Sequence, residues 1–234
     1  TPETAVYKKT QVLYGLDLAK RDISRRDEVV VVEGYTDVMA CHLAGITTAV
    51  ATCGTAFGVD HIKVIRRVMG DDSSTGSVIF TFDPDAAGQK AAARAFGEEQ
   101  RFSAQTYVAV GPDGLDPCDL RLAGGDDAVR RMIDNRKPMF EFMIRQVVER
   151  FDLDTVEGRS SALRAGAPIV ATIRDPASQN GYTRELARLS GADLDDALRA
   201  VRSAQRAQRG DAGGRGASTA PQHSAPPGSP GEQG

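Results

Sequence analysis

The sequence predicts an α/β protein in which a mainly parallel sheet is flanked by helices and followed by a small helical bundle and a disordered tail. Runs of β-branched and aromatic residues recur between residues 28 and 110, and segments of helical spacing separate them. Beyond residue 123 helical spacing continues without strand-like runs. Residues 206–234 are rich in Gly, Pro, Ser and Ala, a composition that cannot bury enough surface to fold.

The elements follow from these patterns in chain order. The four strands predicted are 29–32, 49–51, 78–82 and 106–110. The helices predicted between them are 36–44, 60–69 and 86–99. The bundle helices predicted are 126–135, 139–151, 155–173, 183–189 and 194–205. These elements divide the chain into an N-terminal segment 1–27, an α/β domain 28–123, a helical part 124–205 and a linker 206–234.

Composition excludes several classes of protein. Hydrophobic residues make up 41% and charged residues 26% of the 234 residues, as in soluble globular proteins. The net charge of −3 argues against a generally basic nucleic-acid binder, so contact with polyphosphate needs a local basic patch or bound cations. No apolar run is long enough to span a membrane, and no secretory leader opens the chain.

The cysteine count also bears on the environment of the protein. Three cysteines without a CxxC pair argue against a disulfide scaffold or a zinc ribbon and favour the cytoplasm. Because the first residue is Thr1 rather than methionine, we expect the chain to be a segment of a longer protein.

Acidic residues follow three of the predicted strands. They are Glu33 and Asp37, Asp83 and Asp85, and Asp116 and Asp119. Because the carboxyl ends of parallel strands share one edge of a sheet, these carboxylates are expected to converge there. Repelling carboxylates without His or Cys partners favour Mg²⁺ or Mn²⁺ rather than zinc, and phosphate chemistry is a natural use of such ions. The alternative is that single carboxylates act as helix N-caps, a role assigned to Asp60 and left open for Asp85.

Two glycines follow strands at the same edge. Gly34 comes directly after Glu33, where a side chain would crowd a ligand, and Gly54 follows the second strand, where backbone amides can face a phosphate. For Gly54 an ordinary βα turn is the alternative. Neither a P-loop nor a strand-linked GxGxxG motif occurs, so neither of those nucleotide sites is supported.

Two of these motifs together resemble a known family. Residues 30–38 read VVVEGYTDV and residues 82–88 read FDPDAAG, which is similar to the Toprim domain shared by primases, topoisomerases, RecR-type proteins and some nucleases. The subtype resembles bacterial DnaG-type primases, whose motif reads EGYxDV. The segment LYGL at 13–16, the GT turn at 54–55 and GLDP at 114–117 agree with that subtype.

The resemblance implies roles for individual residues. Glu33 would support catalysis, with Asp37, Asp83 and Asp85 in the same catalytic cluster. The metal ligands implied are Glu33, Asp83, Asp85, Asp116 and Asp119, and the residues implied in nucleotide or template binding are Lys9, Gly34, Gly54 and Thr55. The third acidic motif departs from the family's DPD, because Cys118 stands where the second acid is expected. Either Asp119 replaces that acid or the ligand is dispensable.

The resemblance also implies an activity and partners. A primase of this type synthesises short RNA primers on single-stranded DNA from ribonucleoside triphosphates, with two or more Mg²⁺ or Mn²⁺ ions, in the cytoplasm at the replisome. It contacts the replicative helicase through a C-terminal domain, which we expect to lie outside this chain, as does the zinc-binding domain. We therefore expect weak priming by this segment alone.

Other classes of protein remain open at this point. Another Toprim enzyme, a nuclease or topoisomerase, would cleave phosphodiesters instead of joining them. A haloacid-dehalogenase-type phosphatase also uses DxD after a strand, but on the first strand and with Thr or Val where Ala87 stands here. A non-catalytic Toprim-like DNA-binding module is the remaining alternative, which the presence of Glu33 beside the DxD motif disfavours.

Overall fold

A computed structural model describes residues 9–52, 54, 56–70, 75–82, 93, 95–97 and 104–214. Its centre is a five-stranded sheet with the order β2-β1-β3-β4-β5. The strands are β1 Glu28–Val32, β2 Ala49–Ala51, β3 Ser77–Thr81, β4 Gln105–Ala109 and β5 Lys137–Pro138. The first four are parallel to their neighbours, and β5 is antiparallel to β4. The prediction of a mainly parallel sheet is confirmed, and β5 is an addition to it.

The helices lie between and after the strands. They are α1 Leu16–Arg26, α2 Tyr35–Leu43, α3 Val59–Met69, α4 Pro117–Asp134, α5 Met139–Val148, α6 Val156–Ala171, α7 Pro176–Ser190 and α8 Leu194–Gly214. Of the helix predicted over 86–99, residues 93 and 95–97 are helical, and the others lie outside the described residues. Among the described residues, no helix combines the length and apolar character that crossing a bilayer needs.

The sheet is covered on both faces. Alternate valines of β1 point to opposite sides, so Val30 and Val32 pack with α2 and α4, whereas Val29 and Val31 pack with α1 and α3. Because α1 packs against the sheet, part of the segment 1–27 shares the core of the α/β domain. Burial on both faces explains why β1 consists of consecutive valines.

The helical bundle has a core of its own, built from α5 to α8. It includes Ile144, Leu163, Leu186 and Val201. Helix α5 joins the two cores, because Met139 at its start is buried with the sheet residues and Ile144 is buried in the bundle. The predicted bundle after the sheet is thus present.

The bundle ends later than the sequence predicts. Helix α8 continues to Gly214, so residues 206–214 are helical where a disordered linker was predicted. Segment 205–209 contains Ala, Arg and Gln, which favour helices. In addition, the Gln208 amide donates to the carbonyl oxygen of Pro168 at 3.1 Å, which fixes the helix to α6. Residues 215–234 of the predicted tail lie outside the described residues.

Two other helices begin earlier than predicted. Helix α4 begins at Pro117 rather than at 126, and its backbone is interrupted at Gly125, where φ is +70°. Helix α7 begins at Pro176 rather than at 183, with the Asp175 carboxylate accepting from the Ser178 amide at 2.7 Å. A prediction based on the spacing of apolar residues misses these first turns, because α4 contains glycines and α7 begins with polar residues.

Candidate functional site

The candidate site begins where β1, an inner strand of the sheet, ends. Glu33 directly follows Val32 and is exposed at the carboxyl edge of the sheet. Gly34 comes next and is the N-cap residue of α2. Because β1 lies between β2 and β3, Glu33 stands beside the ends of both neighbouring strands.

Asp37 turns back toward this strand end. The Gly34 amide donates to Oδ2 of Asp37 at 2.9 Å, and the Asp37 side chain is buried with 6% exposure. A Cβ atom on Gly34 would lie 3.1 Å from that same oxygen, which is tight for a carbon–oxygen contact. Gly34 therefore leaves room for the close approach of the Asp37 carboxylate, and Asp37 caps the helix that carries it.

A second pair of carboxylates lies at the start of α4. Asp116 is the N-cap residue of that helix, and its Oδ1 accepts from the Asp119 amide at 2.7 Å. Asp119 is exposed in the first turn. The helix-cap alternative considered for such carboxylates thus applies to Asp116, and capping occupies only one of its two oxygens.

Helices α2 and α4 pack on the same face of the sheet, which places Asp37 and the start of α4 in one region. The pKa of the Cys118 thiol is raised above its ordinary value, first by burial and then by the negative charges of Asp116, Asp37 and Asp119. Asp37 comes from α2, and the other two acids come from α4 or its N-cap, at least 79 positions later in the sequence. These carboxylates come near each other because the two helices pack side by side on one face of the sheet. The sequence motifs predict this convergence at the strand ends.

Several predicted site residues lie outside the part that the structure describes. They are Asp83, Asp85, Thr55 and the side chain of Lys9; the Lys9 backbone begins a short 3₁₀ turn. Gly54 is described and has φ +80°, with no atom within 4 Å of the position that a Cβ would take, so it is a turn residue in open surroundings. Among the described residues, no three His, Cys, Asp or Glu side chains form a group that could hold a metal ion. The gathered carboxylates have the donor chemistry of a hard cation, and a complete ligand set needs residues beyond them.

One residue that stabilises this arrangement was not foreseen. Arg130 of α4 donates from Nη1 to the carbonyl oxygen of Ala44, which ends α2, at 2.7 Å. This bond holds the two acid-bearing helices against each other. An exposed arginine in a helix carries no sequence signal for such a long-range contact.

Comparisons with known proteins agree with this architecture. Residues 27–109 match the family model of the Toprim domain, and residues 140–195 match that of the DnaB-helicase binding domain of primase. The chain is 62% identical over 191 residues to the DNA primase of Streptomyces coelicolor, which covers 82% of this chain and 30% of the relative. The crystal structure of the RNA polymerase domain of Mycobacterium tuberculosis primase DnaG with a double-stranded DNA oligomer carrying a 6-nucleotide overhang matches with a TM-score of 0.73 at 55% identity. That match covers 82% of this chain and 60% of the solved one.

The chain belongs to the DnaG-type DNA primases. It spans about a third or less of the length of the primase relatives that it matches, at 30% for Streptomyces coelicolor and 30% for Mycolicibacterium smegmatis. A DnaG primase catalytic domain bound to single-stranded DNA also matches, with a TM-score of 0.68 and 32% identity over 84% of this chain. The Toprim-type fold and the DnaG subtype inferred from the EGYTDV motif are both confirmed.

The match to the helicase-binding domain of primase falls within the helical bundle of this chain. The sequence prediction placed helicase contact in a domain outside the chain, whereas the matched family model covers residues 140–195, which span α5 to α7. The named relatives and solved structures are primases.

Proposed function

We propose that this chain is the part of a DnaG-type primase that joins ribonucleotides into short RNA primers on a single-stranded DNA template. The observation that carries the proposal is the packing of α2, which holds Asp37, with α4, which begins at Asp116 and Asp119, on one sheet face beside the end of β1 at Glu33. Two helices and strand β1 hold these groups, so their positions are fixed by the core rather than by loops.

The acidic residues have distinct proposed roles. Glu33, exposed at the strand end, would accept the proton from the attacking 3′-hydroxyl or support a metal-bound group. Asp116 and Asp119, with Asp83 and Asp85, would hold Mg²⁺ or Mn²⁺, which neutralises charge on the triphosphate. Asp37 would place its carboxylate beside Glu33 through the Gly34 amide. Lys9, Gly54 and Thr55 are proposed to contact nucleotide or template.

Two partners follow from the same proposal. Single-stranded DNA is the template, consistent with the similar catalytic domain solved with that ligand. The replicative helicase is a partner of the bundle, because α5 to α7 fall within the match to the helicase-binding domain of primase. Contact through the bundle is proposed in addition to the contact expected through a C-terminal domain outside the chain.

Metal binding is the direct test of the site. Mn²⁺ binding is measured by calorimetry for the wild type, Asp116→Asn and Asp83→Asn, with Asp134→Asn as the matched control at the exposed far end of α4. Asparagine preserves an N-cap, so Asp116→Asn removes charge without removing the cap. We expect weaker binding in the first two variants and unchanged binding in the control. Equal affinities in all four proteins would refute the metal site.

Catalysis is tested with the same variants in a longer protein. The segment that precedes this region in the Streptomyces coelicolor relative is fused to the N-terminus, and template-dependent RNA synthesis on single-stranded DNA is measured. Glu33→Gln should abolish primers while leaving the fold intact, because Glu33 is exposed. Nicking of supercoiled plasmid without primer synthesis would instead support the phosphodiester-cleaving alternative.

A further inference from the structure

A second charged surface lies away from the acidic edge. A groove of about 880 Å³ runs along the outer side of α1 and reaches the last turn of α3 at Val68. Lys20, Arg21 and Arg25 line it, together with Ser24 and one acid, Asp22. Three cations against one anion make this surface basic in a chain whose net charge is −3.

The single acid of the groove is already engaged by its neighbours. Arg25 donates to Oδ1 of Asp22 at 2.8 Å, and the Thr47 hydroxyl donates to Oδ2. The pKa of Asp22 is lowered first by the Thr47 hydrogen bond, and the guanidinium groups of Arg25, Arg26 and Arg21 lower it further. Arg26 follows Asp22 by four residues in α1, which places the two on the same side of the helix.

The remaining cations are available to a ligand. No ion pair among the described residues includes Lys20, Arg21 or Arg26, and all three side chains are exposed. Arg21 presents a planar fork that matches phosphate oxygens, Lys20 presents a compact charge, and Ser24 adds a hydroxyl. This is the donor set of a phosphate-backbone contact.

The groove lies at the opposite end of the sheet from the acids. Helix α1 begins beside the carboxyl end of β2, where Tyr14 and Ala51 exchange backbone hydrogen bonds of 2.8 and 3.1 Å, and it ends just before β1 begins. Helix α3 runs the same way, from Gly58 after β2 to Gly70 before β3. The groove, lined from the middle of α1 to the end of α3, is therefore nearer the amino ends of the strands. A small ligand held in the groove does not reach the acidic edge, and only an extended chain can contact both places.

We propose that the groove between α1 and the end of α3 binds the phosphate backbone of single-stranded DNA outside the acidic site. The proposal rests on the proposed function in that DNA is the ligand, although it requires neither metal ions nor nucleotide transfer. A repeating polyanion suits this surface because its cationic side chains are spread along a helix. Backbone contacts of this kind position a strand without reading its sequence.

The test measures how strongly binding depends on salt. Binding of labelled oligo(dT) is followed by fluorescence anisotropy in EDTA at several NaCl concentrations, for the wild type and Lys20→Gln/Arg21→Gln. The matched control is Arg202→Gln/Arg206→Gln, which removes two exposed arginines of α8, outside the segment matched to the helicase-binding domain, that belong to no ion pair among the described residues. Circular dichroism confirms that each variant is folded.

The expected result is specific to the groove. Each single-strand phosphate contact contributes about 0.7 to the slope of log K against log[salt], so the groove variant should lose about 1.4 from that slope and bind about tenfold or more weakly at low salt. The control should keep the wild-type slope. An unchanged slope in the groove variant, or equal losses in both variants, would overturn the proposal and leave the groove to an acidic protein partner. Because divalent ions are absent, failure here is distinguishable from failure of primer synthesis.

Discussion

Gly166 of α6 packs directly against Leu186 of α7, so that a Cβ atom at position 166 would lie 2.5 Å from Cδ1 of the leucine. Leu186 is fully buried in the bundle core and has little room to move. The absence of a side chain at Gly166 is therefore what permits the close approach of these two helices.

Gly166→Ala should destabilise the protein by about 1 kcal/mol, because overpacking outweighs the gain in helix propensity. Gly181→Ala is the matched control, since Gly181 is an exposed position inside α7 with nothing within 4 Å of its Cβ direction. That variant should gain about 0.5–1 kcal/mol. Urea unfolding measures both, and stabilisation of both variants would contradict the packing argument.

Gly34→Ala tests the approach of the Asp37 carboxylate. The added methyl group meets Oδ2 of Asp37 at 3.1 Å, so the carboxylate must withdraw from the Gly34 amide. Gly58→Ala is the control, because Gly58 is likewise an N-cap glycine whose amide donates to a side chain three residues on, and its Cβ direction is open.

The position 34 variant should lose about 1 kcal/mol more stability than the position 58 variant, and it should also bind Mn²⁺ more weakly. Thermal unfolding and calorimetry provide the two readouts. Equal losses at both positions would mean that the Asp37 contact does not decide the choice of glycine.

Arg130→Met tests the bond between the acid-bearing helices. Its guanidinium donates to the Ala44 carbonyl oxygen at 2.7 Å, although the side chain is 47% exposed. Partial exposure weakens the bond, so we expect a loss of about 1 kcal/mol in the free energy of unfolding. Arg131→Met, at the next exposed position of α4, should change it little. Equal losses of unfolding free energy in the two variants would mean that helix propensity or charge, and not the bond to Ala44, causes the effect.

The buried thiol of Cys41 should make the stability of the folded protein depend on pH in the alkaline range. Burial, and then the charge of Asp37, raise the pKa of its thiol to about 12 from 9.0. In the unfolded chain the thiol ionises above pH 9, while the folded state keeps its proton. Stability should therefore fall as the pH rises from about 9 toward 12, with a slope approaching 1.4 kcal/mol per pH unit from this one group.

Cys41→Ala should flatten that slope relative to the wild type, whatever its effect on stability at neutral pH. Urea unfolding at several pH values between 8 and 11 gives the comparison. Parallel profiles for the two proteins would show that the thiol also ionises in the folded state.

The sheet was predictable because its strands are short apolar runs with β-branched residues. Such continuous runs are typical of strands that helices cover on both faces. Strand β5 was missed because it has two residues, one of them Pro138, and pairing with β4 rather than local propensity defines it. Asp60 was predicted to cap α3, but Gly58 holds that position and Asp60 pairs with Lys63 instead.

The placement of the acids was predictable to the level of their elements. The carboxyl-edge rule predicts that Asp37 and Asp116 lie near each other, and in the structure they begin α2 and α4, which pack on the same face of the sheet. Their role in a site stays a prediction. The Ala44–Arg130 bond was not predictable, because its partners are 86 positions apart and a carbonyl oxygen has no sequence signal. The roles of Glu33 and of Asp119 as a replacement for the family's missing acid stay predictions.

Helix α5 has one end in the sheet core, at Met139, and continues into the bundle core at Ile144. Because one continuous helix is buried in both cores, its length between them sets the orientation of the bundle relative to the sheet. Each residue added between those two positions would turn the bundle by about 100° and shift it by about 1.5 Å relative to the acidic edge. We therefore expect an insertion or deletion between Met139 and Ile144 to disrupt the packing of the bundle against the sheet, and a conservative exchange of an exposed side chain there to have little effect.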